Sequence, residues 1–240
     1  MRLQKFLAER GIQSRRKCEE LIKSGLVFVN DTRAHLGEQI DPDNDVVKVD
    51  GKVVEYSPYA YFLFHKPKGY LSTVTDPQKR PTIFDLVKIK GRVFPVGRLD
   101  KDSEGLMLLT NDGDLAYALT HPKFQVEKVY EVQVEGIPST KVLEQIKKGV
   151  LLKDGLTSPA QARVLKILEG EKKCWLEIKI HEGRKREIRR MLKTLGHEVI
   201  SLCRVAIGPL QLSLLPSGEW RTLNEKELKE LLKLKSNKTW

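Results

Sequence analysis

Three carboxylates fall within five residues of this chain: Asp100, Asp102 and Glu104. They lie in Gly97-Arg98-Leu99-Asp100-Lys101-Asp102-Ser103-Glu104-Gly105, directly ahead of the apolar run Leu106-Met107-Leu108-Leu109, which stops at Thr110-Asn111-Asp112-Gly113. An apolar run of that length between turn residues predicts a strand buried on both faces. The acidic loop therefore sits where a rigid element begins. A carboxylate held rigidly beside an arginine is a natural catalytic device. The residues alone leave a second chemistry open, a two-carboxylate hydrolysis using Asp100 with Asp102 or Glu104. That chemistry needs a sugar-binding aromatic groove, and aromatics are 7% of the chain with no evident cluster. The plainest alternative is a loop of solvated charges.

The elements that must position this loop are bounded by composition. The chain has 240 residues, enough for one large domain or two smaller ones with a real core. Its 43 Lys+Arg against 32 Asp+Glu give a formal charge of +11, which favours an anionic partner, nucleic acid first. No apolar run approaches the length of a membrane span, and Met1-Arg2-Leu3-Gln4-Lys5 has no apolar signal segment, so a cytoplasmic location is expected. Cys18, Cys174 and Cys203 are odd in number and scattered, as are His35, His65, His121, His181 and His197. They suggest neither a disulfide framework nor a metal site, so no metal and no cofactor is expected.

The N-terminal stretch predicts two helices. Leu3, Phe6 and Leu7 have helical spacing with Gly11 as a stop, and Ser14 can cap a second helix with Cys18, Leu21 and Ile22 inward, ended by Gly25. Leu26-Val27-Phe28-Val29 and Val46-Val47-Lys48-Val49 read as strands. Residues 1–33 carry eight Lys/Arg against four acids, whereas 34–55 carry two against six. Arg15-Arg16-Lys17 at a helix N-terminus is mildly unfavourable, unless an anion such as a phosphate offsets it; a solvated basic patch is the other reading. Ser14-Arg15-Arg16-Lys17, Ile22-Lys23-Ser24-Gly25 and Val27-Phe28-Val29-Asn30 resemble the small RNA-binding module shared with ribosomal small-subunit protein four. The resemblance implies RNA contacts by Arg15, Arg16 and Lys17, with Arg2, Lys5 and Lys23 beside them, in a domain over 1–55.

Residues 51–60 read as a linker, and a second domain is expected over 61–240. The stretch 97–113 resembles the central motif of the pseudouridine synthases, in the branch that modifies ribosomal RNA. Lys128-x-Tyr130 resembles the second motif of that family, Glu182-Gly183-Arg184-Lys185-Arg186-Glu187-Ile188-Arg189-Arg190-Met191 the third, and Gly208-Pro209-Leu210 the closing one. His65-Lys66-Pro67-Lys68-Gly69 departs from the usual Asn-Lys-Pro-x-Gly at its first position, and Glu187 stands where glutamine is common.

The resemblance implies an α+β fold: the small module, with two helices and short strands, followed by a catalytic domain around a mixed, largely antiparallel sheet. It implies isomerisation of uridine to pseudouridine in rRNA, large-subunit rRNA ahead of small-subunit rRNA, as naked RNA or in an assembly intermediate. Asp100 becomes the nucleophile, Tyr130 the residue that stacks on the target base and helps move a proton, and Arg189 the partner of the aspartate. Arg98, Lys128, Arg184, Arg186 and Arg190 complete the basic set expected to hold RNA. A monomer is expected. A binding-only assembly factor is the rival; a missing Asp100, Tyr130 or third-motif arginine would favour it, and all are present.

The remaining elements follow from periodicity. Leu71–Val74 reads as a strand, Thr82–Val87 as a short helix or turn, and Asp112 can cap a helix burying Leu115, Ala118 and Leu119. Alternation at Cys174, Leu176, Ile178 and Ile180 predicts a half-buried strand. Ile188, Met191, Leu192 and Leu195 make a helical core stripe beside a basic one. Thr222-x-x-Glu225 reads as a capping box for a last helix with Leu228, Leu231 and Leu232 inward.

Overall fold

A computed structural model describes residues 1–55, 57–168, 170 and 172–236; Trp240, the expected end of the second domain, lies outside them. The chain divides into two compact units. The first is Met1–Ala60 together with Ile89–Val93 and Asn111–Gly113, and the second is Tyr61–Lys88, Phe94–Thr110 and Asp114–Trp240. The first unit thus takes up two short segments that the sequence boundary at 55/61 assigns to the second domain.

In the first unit α1 (Leu3–Glu9) and α2 (Arg15–Lys23) pack on strands β1 (Val27–Val29), β2 (Thr32–Arg33), β3 (Val47–Val49) and β4 (Lys52–Val53), arranged β2-β1-β3-β4. Leu3, Phe6, Leu7, Cys18, Ile22 and Val27 form its core. The Ser14 side chain caps α2 by accepting the Lys17 backbone N–H at 3.3 Å.

The second unit is built on one large sheet. Its strands are β5 (Tyr61–Lys66), β6 (Phe94–Pro95), β7 (Glu104–Thr110), β8 (Lys128–Glu135), β11 (Gln161–Leu168), β12 (Lys173–Ile180), β13 (Val199–Ile207), β14 (Leu210–Gln211) and β15 (Trp220–Thr222), with the small hairpin β9 (Leu151–Leu152)/β10 (Gly155–Leu156) apart from it. The order is β11-β12-β8-β13-β7-β5-β15, with β14 on β13 and β6 on β7. Only β13–β7 is parallel among the described pairs, so the sheet is mixed and largely antiparallel. Helices α3 (Gly113–Thr120), α4 (Thr140–Lys148), α5 (Glu187–Thr194) and α6 (Glu225–Ser236) complete the unit. No helix among the described residues is long and apolar enough to cross a membrane.

Strand β7 is buried at every position from Gly105 to Thr110, as the unbroken apolar run predicts. Strand β12 buries Cys174, Leu176, Ile178 and Ile180 and turns the intervening residues outward. Two local expectations are corrected. Leu71–Val74 forms no strand, only a bridge from Leu71 to Thr82, because the backbone bends there. The capping box of α6 is Asn224 with Glu227, each donating its backbone N–H to the other's side chain at 2.9 Å. Thr222 is unavailable as the cap because it is paired with Phe62 in the sheet.

Candidate active site

An open cleft of about 1140 Å³ in the second unit is lined by the loop 97–101, Ser103, Lys128, Tyr130, the turn 182–188 and Arg204. The sheet register builds its floor. Lys66 on β5 pairs with Gly105 on β7, Gly105 with Arg204 on β13, and Arg204 with Tyr130 on β8. Residues directly opposite in a sheet share a face, so Lys66, Arg204 and Tyr130 stand in one row across four strands. Gly105 has φ +117°, and a Cβ there would come within 2.4 Å of the Arg204 backbone, so only glycine fits in the row.

The loop ahead of β7 is tied down at every carbonyl from Leu99 to Ser103. Ser72 Oγ donates to Leu99 O at 2.7 Å and accepts the Leu99 N–H at 3.1 Å. Lys66 Nζ donates to Asp100 O at 3.1 Å and Ser103 O at 2.8 Å, with its third bond to Pro67 O at 3.0 Å. The Gly69 N–H reaches Lys101 O at 2.7 Å, and Arg189 Nη2 reaches Asp102 O at 2.9 Å. Lys66 is fully buried, and burial brings its ammonium down to about 8 against the pull of Asp102, Asp100 and Glu104. The Asp100 side chain, by contrast, makes no hydrogen bond or ion pair among the described residues and lines the cleft. The backbone is immobilised and the carboxylate is left for something else.

The arginine expected against Asp100 lies against Asp102. Arg189 Nε is 3.4 Å from the Asp102 carboxylate, and its Nη1 donates to Val199 O at 3.2 Å. Arg186 grips the same carboxylate with two bonds of 2.8 Å, and this holds the Asp102 carboxyl below the usual range. The two arginines flank the start of α5, three residues apart, so both come against one acid.

Most of the remaining basic residues of the third motif are likewise engaged within the unit. Arg184 donates to Glu182 at 3.0 Å, to Gly155 O at 3.4 Å and to Leu156 O at 2.7 Å, and Arg190 pairs with Asp154 at 2.7 Å. Lys128, expected on the RNA, is buried instead. Its Nζ spends three bonds on Val126 O, His181 O and Glu182 O, and burial lowers its ammonium. Arg98 is exposed on the cleft wall. Tyr130 is 7% exposed and lines the cleft. In the first unit Arg2, Arg15, Arg16, Lys17 and Lys23 are exposed, and Lys5 is half-buried 3.6 Å from Glu9.

The sequence reading missed Lys66, Arg204 and Ser72. Arg204 is 3% exposed, with Nε bonded to Leu106 O at 2.8 Å. The signal available was a cation at an inward position of an apolar strand, a feature that Lys66, Lys128 and Arg204 share. Each is costly to bury, so each must meet acceptors. Concerning metals, ligand atoms of His65, Glu104 and Cys203 come within 4.8 Å of one another. These three residues do not line the cleft.

The sequence model of the RNA pseudouridylate synthase family matches residues 60–194, and that of the S4 domain matches residues 1–46. The chain is 46% identical to an uncharacterized RNA pseudouridine synthase of Aquifex aeolicus (strain VF5), over 97% of this chain and 94% of the relative. It is 42% identical to ribosomal large subunit pseudouridine synthase B of Bacillus subtilis (strain 168), over 96% and 95%. A crystal structure of a pseudouridylate synthase superposes with a TM-score of 0.69 at 29% identity, covering 96% of this chain and 99% of the other. The chain therefore belongs to the RNA pseudouridylate synthase family, with an S4 domain at its N-terminal end, and it is an isomerase acting on RNA.

Proposed function

We propose that this enzyme converts a uridine of ribosomal RNA to pseudouridine, large-subunit rRNA ahead of small-subunit rRNA, with Asp100 as nucleophile. The observation that carries the assignment is the contrast within one loop. All five carbonyls from Leu99 to Ser103 are held, while the Asp100 carboxylate is unengaged and faces the cleft. A reacting group fixed in place with its lone pairs free avoids an orientational cost at the moment of reaction.

In this reading the uridine leaves its stack and enters the cleft, where Tyr130 offers its ring to the base. A carboxylate oxygen of Asp100 adds either to carbon 6 of the uracil or to the anomeric carbon of the ribose. The bond from nitrogen 1 to the sugar breaks, the base turns, and carbon 5 bonds to the sugar. Carbon 5 loses its proton, nitrogen 1 gains one, and Asp100 is released. Arg189 acts through Asp102, holding the loop that carries the nucleophile. The cations Arg98, Lys101 and Lys185 on the cleft wall suit the phosphates of the substrate strand. The S4 domain, with Arg15, Arg16 and Lys17 exposed, supplies further affinity by counterion release. The preference for large-subunit rRNA rests on the similarity to the large-subunit synthase of Bacillus subtilis.

The test is tritium release from rRNA labelled at carbon 5 of uridine, with wild type and Asp100→Asn compared. Wild type is expected to release tritium, and the variant to bind RNA within about twofold of wild type without release. Release by Asp100→Asn would remove the nucleophile assignment. Binding without release by wild type, on large- and small-subunit substrates alike, would favour a binding-only role.

A further inference from the structure

Glu187 opens α5 on the wall of the cleft and is 4% exposed. Its Oε2 accepts the Arg184 backbone N–H at 2.9 Å. Its Oε1 is buried and meets no donor among the described residues. The acid that acts on Glu187 is Glu182, whose carboxylate accepts the Arg184 Nε–H at 3.0 Å, so both carboxyls are gathered on one residue of the turn. Two carboxylates so gathered cannot both stay ionised in a buried site, whereas one proton between them gives the orphaned oxygen its bond.

No neighbouring cation removes this need. The Arg184 guanidinium is spent on Glu182 and on the carbonyls of Gly155 and Leu156. Lys128, which faces Glu187 from β8, spends its three bonds on backbone carbonyls, and Arg204 on β13 lies beside Lys128. The segment following the β9/β10 hairpin presents the Ser158 N–H, which goes to Glu182 at 2.6 Å. The hairpin's own Asp154 is paired with Arg190 on α5.

We infer that Glu187 works in its protonated form, donating its proton to Glu182 and so locking the turn 182–187 that carries Arg184 and Arg186. It is a positioning residue: Arg186, held by this turn, holds Asp102, and Asp102 belongs to the loop of Asp100. The kinetic part of this inference rests on the function proposed above; the shared proton does not. Burial and the neighbouring Glu182 raise the Glu187 carboxyl to about 8, so the proton is present at neutral pH. An amide in its place would supply the same hydrogen-bond donor without being titratable.

The experiment compares wild type, Glu187→Gln and Glu187→Ala. First, the protein is labelled with carbon-13 at glutamate carboxyls, and the resonance absent from Glu187→Gln is followed with pH. A midpoint near 8 is expected, and a midpoint below about 6 overturns the inference. This readout does not depend on the reaction. Second, tritium release is measured from pH 6.5 to 9. Lys66 titrates in every variant, so the ratio of Glu187→Gln to wild type is the quantity read. With a group at about 8, that ratio should rise about tenfold between pH 7 and pH 9. Glu187→Ala should lose kcat by about tenfold or more at pH 7 with RNA affinity retained, and Glu187→Gln should restore it. A flat ratio, or a Glu187→Gln protein as slow as Glu187→Ala, overturns the inference. If wild type forms no pseudouridine while the carbon-13 midpoint is near 8, the proposed reaction falls and the shared proton stands.

Discussion

Replacing Lys66 with methionine removes the one side chain that ties Pro67, Asp100 and Ser103 together, at little change in volume. Three ammonium–carbonyl bonds are lost. Bonds to a charged group contribute ~1.5–3 kcal/mol each, so ~5–9 kcal/mol disappears in total. Methionine also avoids the cost of burying the charge. The fall of the ammonium from 10.5 to about 8 corresponds to ~3 kcal/mol. Because the folded value is below the unfolded one, the unfolded chain binds more protons between pH 8 and 10.5. That cost is therefore complete below pH 8 and fades above it, and a measurement at pH 7 sees all of it. The difference leaves Lys66→Met less stable by ~2–6 kcal/mol, a fall in Tm of ~5–20 °C in a domain of this size.

The loop of Asp100 should loosen more than the rest of the protein unfolds. Misplacement of a reacting group by about 1 Å can cost a hundredfold, so kcat is expected to fall by ~10–100-fold with RNA Kd within about twofold. The assay is single-turnover tritium release together with thermal melting, both at pH 7. Wild-type kcat and wild-type Tm in Lys66→Met would refute the anchoring role. A loss of RNA affinity with kcat unchanged would instead make Lys66 an RNA contact.

Three further outcomes follow from the same geometry. Asp102→Asn is expected to weaken the grip on Arg186 and Arg189; since the Asp102–Arg186 pair is nearly half exposed, the stability change is held to ~1 kcal/mol, while kcat falls by ~10-fold with turnover still measurable; complete loss would return Asp102 to the chemistry itself. Arg15→Ala with Arg16→Ala should weaken rRNA binding and reduce the slope of log affinity against log salt by about 1.5, read from titrations at several salt concentrations; an unchanged slope removes these arginines from the RNA surface. Glu187 has its folded value raised from 4.5 to about 8, so its stabilising effect is complete below pH 4.5 and is lost as pH rises through 8. The Tm of Glu187→Gln should accordingly draw ahead of wild type from pH 5 to pH 8 and hold its lead above; a constant gap contradicts the raised carboxyl.

Those outcomes separate what is local in this protein from what is not. Hydrophobic period and capping are short-range properties, so the amino-acid order by itself determined the doubly buried strand of Leu106–Leu109, the alternation at Cys174–Ile180, the Ser14 cap, and the core stripe Ile188, Met191 and Leu192. The motifs likewise carried the family, and with it Asp100 and Tyr130 as candidates. Partner choice among charges was not legible. Arg189 and Asp102 are 87 residues apart, and which of Asp100 and Asp102 meets the arginine depends on where the turn at Arg186 aims α5. Thr222 and Asn224 are both good caps by type, and only the pairing of Thr222 with Phe62 decides for Asn224. The amino-acid order assigns no role to Lys66 or Arg204 and points Lys128 toward RNA, and it is the sheet register that puts all three inside. Burial makes a charge seek backbone carbonyls, and burial is a property of the assembled sheet: the strand of Leu106–Leu109 and the acidic loop ahead of it are legible in the amino-acid order, whereas the charges that hold that loop still are selected by the three-dimensional packing.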